Sequence, residues 1–214
     1  MTSMMTPGLV ELFLSAFVTL FVVIDPPGCA PIYAGLTTNA TPTARRSMAM
    51  RACLVAGLIL LGFALVGEDL LAAMHIEIDA FRIAGGIMLF MIALDMVFEK
   101  RTQRREDRAD KVRDDPEHED VAIFPMAMPM LAGPGAIASV MLLAGNARGP
   151  EGTAVVLAAL AAVLLLTMLA LMAASPLMKL FGAKVEAVIT RLLGVLLAAL
   201  AAQYVIDGVR NSFF

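Results

Sequence analysis

The chain has 214 residues, a formal net charge of −3 and a mean hydropathy of +0.84, with 60% of residues hydrophobic and 16% charged. Soluble domains carry about 45–50% apolar and about 25% charged residues, so a soluble enzyme, a disordered chain and a nucleic-acid-binding module are excluded. At about 20 apolar residues per span, the length suits an all-α membrane protein of six transmembrane helices with short loops.

The first apolar run covers 9–36 and is interrupted by Asp25-Pro26-Pro27-Gly28 and then Pro31. No Lys or Arg precedes Arg45, so this run is expected as a retained span rather than a cleavable signal. The second span is expected at 48–66, with Arg51 near its start, and the third at 80–98, with Arg82 and Asp95 near opposite ends. The fourth, 121–143, carries no charge but holds Pro125, Pro129 and Gly133-Pro134-Gly135. The fifth, 154–174, has Thr167 as its internal polar residue, and the sixth, 187–206, contains Arg191 and Gln203. Continuous runs of this length are helical; barrel strands alternate over about 10 residues.

Residues 99–120 form the one hydrophilic stretch, with seven Lys/Arg and nine Asp/Glu. Its composition reads as a solvated cytoplasmic linker, with a regulatory or partner-binding loop as the alternative. The chain then divides into a three-helix unit at 1–98, the linker, and a second three-helix unit at 121–214. Counting the loop Lys and Arg, with Arg51 near the start of the second span taken with the first loop, gives twelve on the side of the odd loops and two, Arg148 and Arg210, on the other. By the positive-inside rule the odd loops are cytoplasmic and both termini lie outside the cytoplasm.

The two interruptions are about 107 residues apart, and Arg82-Ile83-Ala84-Gly85 is matched 109 residues later by Arg191-Leu192-Leu193-Gly194. With three spans per copy, the second copy enters the membrane from the opposite side. Inverted repeats with Gly/Pro-interrupted helices at matching positions point to the binding site of a secondary transporter.

Six of the eleven prolines lie in the two interrupted spans, so these helices are expected to be broken rather than merely kinked. Freed backbone groups cannot face lipid and must line a hydrated or ligand-filled space. A new helix start offers N–H donors to a carboxylate, and the preceding helix end offers carbonyls to an ammonium group or Na⁺. A zwitterionic amino acid fits that arrangement. The expected substrate-binding residues are Asp25, Pro26, Pro27, Gly28 and Pro31 at the first break, and Pro129, Gly133, Pro134 and Gly135 at the second. Asp25 carries two readings: N-cap of the following helix, or direct contact with substrate or proton.

Arg82 and Arg191 read as snorkelling side chains, or as partners in interfacial ion pairs, Arg82 with Asp207 and Arg191 with Asp95. The methionines at 126, 128 and 130 read as packing rather than soft-metal ligands, since no His or Cys accompanies them. Cys29 and Cys53 read as small buried hydrophobes.

Taken together, Ile24-Asp25-Pro26-Pro27-Gly28 with Pro31, Phe81-Arg82-Ile83-Ala84-Gly85-Gly86, Phe124-Pro125-Met126-Ala127-Met128-Pro129 with Gly133-Pro134-Gly135, and Glu186-Ala187 through Arg191-Leu192-Leu193-Gly194 to Gln203 and Asp207-Gly208 resemble the MarC family of bacterial inner-membrane proteins. The resemblance implies six spans, with the first and fourth broken around a central site. Archaeal relatives in that family are regarded as transporters of small neutral amino acids such as glycine and alanine, which implies that substrate class here. The expectation is a secondary transporter working by alternating access, with H⁺ or Na⁺ as coupling ion, no cofactor, no metal and no enzymatic step. The rival is a non-transporting membrane scaffold or assembly factor acting through the charged loop.

Overall fold

The computed structural model describes residues 8–38, 40–100, 103–104, 122–147 and 149–213. The helices are α1 (Leu9–Ile24), α2 (Pro26–Leu36), α3 (Pro42–Ala73), α4 (Ile78–Val97), α5 (Pro134–Gly145), α6 (Gly149–Met172) and α7 (Ala174–Phe213), with an irregular coil at Ala122–Leu131 before α5. No strand occurs among the described residues. Among the described residues, five helical stretches are long and apolar enough to cross a membrane, α1 with α2 counting as one; the Ala122–Leu131 segment with α5, bent by 55°, makes a sixth if the pair is one span.

The first break is a single residue. Asp25 adopts a left-handed conformation (φ 59°, ψ 65°), and Pro26 and Pro27 then open α2, where a missing N–H costs nothing. The second break is longer. Phe124 and Met128 are extended, each before a cis peptide bond to proline, and Gly133 precedes Pro134 at the start of α5. Met126 and Met130 are buried in the core, in keeping with packing, whereas Met128 is 45% exposed.

Thr41 caps α3 by accepting from the Ala44 N–H at 3.2 Å. That helix ends where His75 turns left-handed and the Ile76 N–H reaches back to Leu71 O at 2.9 Å, a C-terminal turn that satisfies otherwise orphan carbonyls. Thr167 is fully buried in α6 and returns its hydroxyl to Val163 O at 2.7 Å.

Helices in lipid approach closely through small residues. Ala16, Ala49, Ala52, Ala56, Ala93, Ala159 and Ala201 are all fully buried, while Leu54, Leu58 and Leu192 are more than 60% exposed on the lipid side. The longest seam joins α4 to α7, antiparallel. A Cβ on Gly86 would meet Ala201 O at 2.9 Å and Val205 Cγ2 at 2.8 Å; one on Gly194 would meet Ala93 O at 3.2 Å and Val97 Cγ2 at 3.1 Å. Each glycine thus receives the same Ala carbonyl and Val methyl from the opposite helix.

Two expectations change in detail. The loop expected between spans five and six is absent as a loop: α6 ends at Met172, and Ala174–Phe213 runs as one helix of 40 residues. The second span also extends well beyond 48–66, to 32 residues, or about 48 Å at 1.5 Å per residue, so α3 overreaches the hydrocarbon layer. Of the charged linker only Glu99, Lys100, Gln103 and Arg104 are among the described residues; the rest of 99–120 lies outside them.

Candidate functional site

At the first break Asp25 is 1% exposed, and its Oδ1 accepts the Gly28 N–H at 3.1 Å. The capping geometry of Asp25 is therefore present, and α2 carries its own carboxylate at its positive end. Gly28 makes room for it: a Cβ there would stand 2.2 Å from Asp25 Oδ2. Cys29 and Cys53 are free and buried, and the Cys29 thiol faces Ile24 O at 3.5 Å.

The second break differs. No side chain caps α5. Helix geometry leaves the first-turn N–H groups without an internal acceptor; Pro134 has none to offer, and Gly135 and Ala136 supply the donors. Both residues line a cavity of about 140 Å³, together with Pro129, Gly133 and Pro134. Val23, Ile92, Asp95 and Arg104 close its other side, and Asp95 and Arg104 form an ion pair there. Drug-sized ligands take pockets of roughly 300–1,000 Å³, so this space suits a much smaller solute.

Two glycines create the space. A Cβ on Gly133 would come to 2.5 Å from Pro129 O, and one on Gly135 to 2.5 Å from Ile92 Cδ1 and 3.4 Å from Val23 Cγ1. Val23 also ties the two breaks together, because it sits two residues before Asp25 and against Gly135. One turn into α5, on the helix face of Gly135 and Ala136, Ser139 is fully buried and its hydroxyl has no hydrogen-bond partner. Ser139 is not itself among the residues that line the cavity.

Of the expected site residues, Pro129, Gly133, Pro134 and Gly135 line the cavity, while Asp25, Pro26, Pro27, Gly28 and Pro31 are not among its walls. Asp95 and Arg104 are wall residues that sequence reasoning did not assign to the site. At the helical rise, twelve residues from position 121 place Gly133 about 18 Å into the membrane. The irregular coil at Ala122–Leu131 instead leaves it beside Ile92 and Asp95, in the last two turns of α4.

The ion pairs also differ from expectation. Arg82, 7% exposed, pairs with Asp79 and donates to the Asn146 side chain at the end of α5, not to Asp207. Asp207 accepts from Gln203 at 2.8 Å. Arg191 pairs with Glu99, and Asp95 with Arg104. The register explains this: Gly194 packs on Ala93, Met96 and Val97, so Arg191, one turn earlier in α7, stands beyond the end of α4. At the end of the bundle opposite to Arg82, Arg45 binds Thr37 O at 2.8 Å, Thr38 O at 2.9 Å and the Ser175 hydroxyl at 2.9 Å. An arginine therefore holds the C-terminal end of each second half-helix, α2 and α5, which is the end that favours a cation.

The model of the MarC family of integral membrane proteins matches residues 10–213. The chain is 34% identical over 205 residues to a UPF0056 membrane protein of Methanocaldococcus jannaschii, covering 94% of this chain and 98% of that one. It is 33% identical over 197 residues to the UPF0056 membrane protein YvbG of Bacillus subtilis, covering 92% and 93%. To the UPF0056 inner membrane protein YhgN of Escherichia coli K12 it is 32% identical over 200 residues, covering 92% and 95%. No solved structure matches.

Proposed function

We propose a transport function from the premise that the chain belongs to the MarC family of integral membrane proteins. In this reading the protein moves a small neutral amino acid, or a solute of similar size and polarity, across the inner membrane by alternating access. The observation that carries it is the cavity of about 140 Å³ at the uncapped start of α5. It joins helix N-terminal donors to the Asp95 carboxylate in one small space, and those are the partners a zwitterion needs.

The same reading takes the two three-helix units as inverted repeats. The reciprocal seating of Gly86 and Gly194 supports this, as do the spacings of the breaks and of the Arg82 and Arg191 motifs. The bias of Lys and Arg toward the odd loops supports a cytoplasmic linker and termini outside the cytoplasm. Alternating access then exchanges the packing of one unit against the other, with the Gly133-Pro134-Gly135 backbone meeting the solute carboxylate. Asp25 holds α2 in shape and takes no part in chemistry, and no covalent step is involved.

Radiolabelled amino-acid counterflow in proteoliposomes tests the reading. Exchange of glycine or alanine above that of protein-free liposomes supports it. Exchange equal to protein-free liposomes for every small neutral amino acid contradicts it, and returns the scaffold alternative.

A further inference from the structure

We propose that Asp95 is the ammonium-binding residue of the cavity at the second break, and that Arg104 occupies its place in the unloaded protein as an internal substitute for the solute's cation. The inference rests on the transport reading of this same cavity and names the group that recognises the solute's positive end.

The cavity has two electrical poles. The bare N–H groups of Gly135 and Ala136 form the positive one. Asp95, the acidic side chain in the wall, forms the negative one and stands opposite on α4. A mostly buried carboxylate is costly without a counter-charge, and Arg104 supplies one. The chain is turned for this purpose: Glu99 is left-handed, and the Gln103 N–H reaches back to Glu99 O at 3.4 Å, which returns Arg104 to the level of Asp95.

The two partners are not equally committed. The Asp95 side chain is 21% exposed, whereas Arg104 is 64% exposed. A guanidinium that is mostly exposed contributes little as a partner and leaves at little cost. A solute ammonium enters the cavity on the sheltered side of the same carboxylate while its own carboxylate meets the α5 amides. Loading therefore releases Arg104 from the cavity wall. The Arg191–Glu99 pair, about half exposed on both sides and outside the cavity walls, provides the comparison.

The test uses full-length protein in detergent, with half-saturation read from thermal stabilisation at low salt. The probes are L-alanine, propionate (no ammonium), ethylamine (no carboxylate) and NaCl against choline chloride. Arg104→Gln should lower half-saturation for alanine by roughly threefold, as expected for removal of an exposed competitor. Asp95→Asn should raise it by roughly tenfold or more. The double variant should match Asp95→Asn, because Arg104 has nothing left to release, and Glu99→Gln should match the unaltered protein. Propionate should respond to neither Asp95→Asn nor Arg104→Gln. Alanine binding unchanged in Asp95→Asn, or weakened in Arg104→Gln, overturns the proposal, as does stabilisation by Na⁺ alone that Asp95→Asn abolishes. Unaltered protein that responds to no small neutral amino acid overturns the transport reading as well, a result distinct from an unaffected Asp95→Asn.

Discussion

The carboxylate of Asp25 occupies the space a side chain on Gly28 would need: a Cβ at position 28 would lie 2.2 Å from Oδ2, while the Gly28 N–H donates to Oδ1 at 3.1 Å. Cap and glycine are one device. Gly28→Ala should therefore act like loss of the cap, with the methyl displacing the carboxylate. Asp25→Asn, which keeps a capping oxygen, should change stability little, whereas Asp25→Ala and Gly28→Ala should each cost about 0.5–2 kcal/mol. Thermal unfolding of the purified variants in detergent checks the order. Concentrative transport retained in Asp25→Asn separates a cap from a proton carrier.

At the second break the crowding is against a side-chain tip. A Cβ on Gly135 meets Ile92 Cδ1 at 2.5 Å, the movable end of an isoleucine. Gly135→Ala should fold with a loss of about 1 kcal/mol, at the low end for overpacking, and should bind alanine several-fold more weakly because the cavity shrinks. Adding Ile92→Val removes the clashing methyl and should restore most of the binding. Gly135→Leu should fill the cavity and abolish counterflow while membrane abundance stays normal.

The seam between α4 and α7 predicts a graded series. Gly86 faces Ala201 O at 2.9 Å, backbone that cannot move aside, whereas Gly85 faces Leu142 Cδ1 at 3.2 Å. Gly86→Ala should cost about 1–3 kcal/mol, as overpacking does, and Gly85→Ala less. Equal melting temperatures for the two would contradict the close antiparallel approach.

Arg82 predicts a partner-specific pattern. Its guanidinium reaches Asp79 and Asn146 at once, so Arg82→Lys, which lacks the planar fork, should destabilise the protein nearly as much as Arg82→Gln. Asp79→Asn should cost roughly 1–3 kcal/mol, the range for a charged hydrogen bond lost at a partly buried site. Asp207→Asn should cost little, because Asp207 pairs with Gln203. Melting curves of the four variants decide between this network and the Arg82–Asp207 pairing expected from the sequence.

The spans were legible because apolar runs of this length permit little else, and both breaks were legible because prolines occur in no other span. Asp25 was readable as a cap from its position before Pro26. The cavity walls were not. Depth along the fourth span depends on an irregular coil between Phe124 and Leu131, whose rise no helical count gives, so Asp95 was matched to Arg191 rather than to the Gly133-Pro134-Gly135 break. The same uncertainty of one turn hid Glu99 as the partner of Arg191. Ser139 carried no signal, since a serine in an apolar helix ordinarily bonds back to its own backbone, and its unpartnered state is visible only in three dimensions. The reach of α7 back to Ala174 was hidden because Lys179 and Lys184 look like a loop in a hydropathy reading but are compatible with helix.

The central claim is that solute sits between the start of α5 and Asp95. Site-directed protection tests it most directly. Cys29 and Cys53 are replaced by alanine, Ala136→Cys is added, and the variant is confirmed to exchange alanine in proteoliposomes. Labelling of Cys at 136 by a small maleimide is then followed with and without L-alanine. The account predicts that alanine slows labelling with the half-saturation of counterflow, and that propionate at the same concentration protects far less. Labelling that is unaffected by saturating alanine in a variant that still exchanges it would place the solute elsewhere and contradict the account.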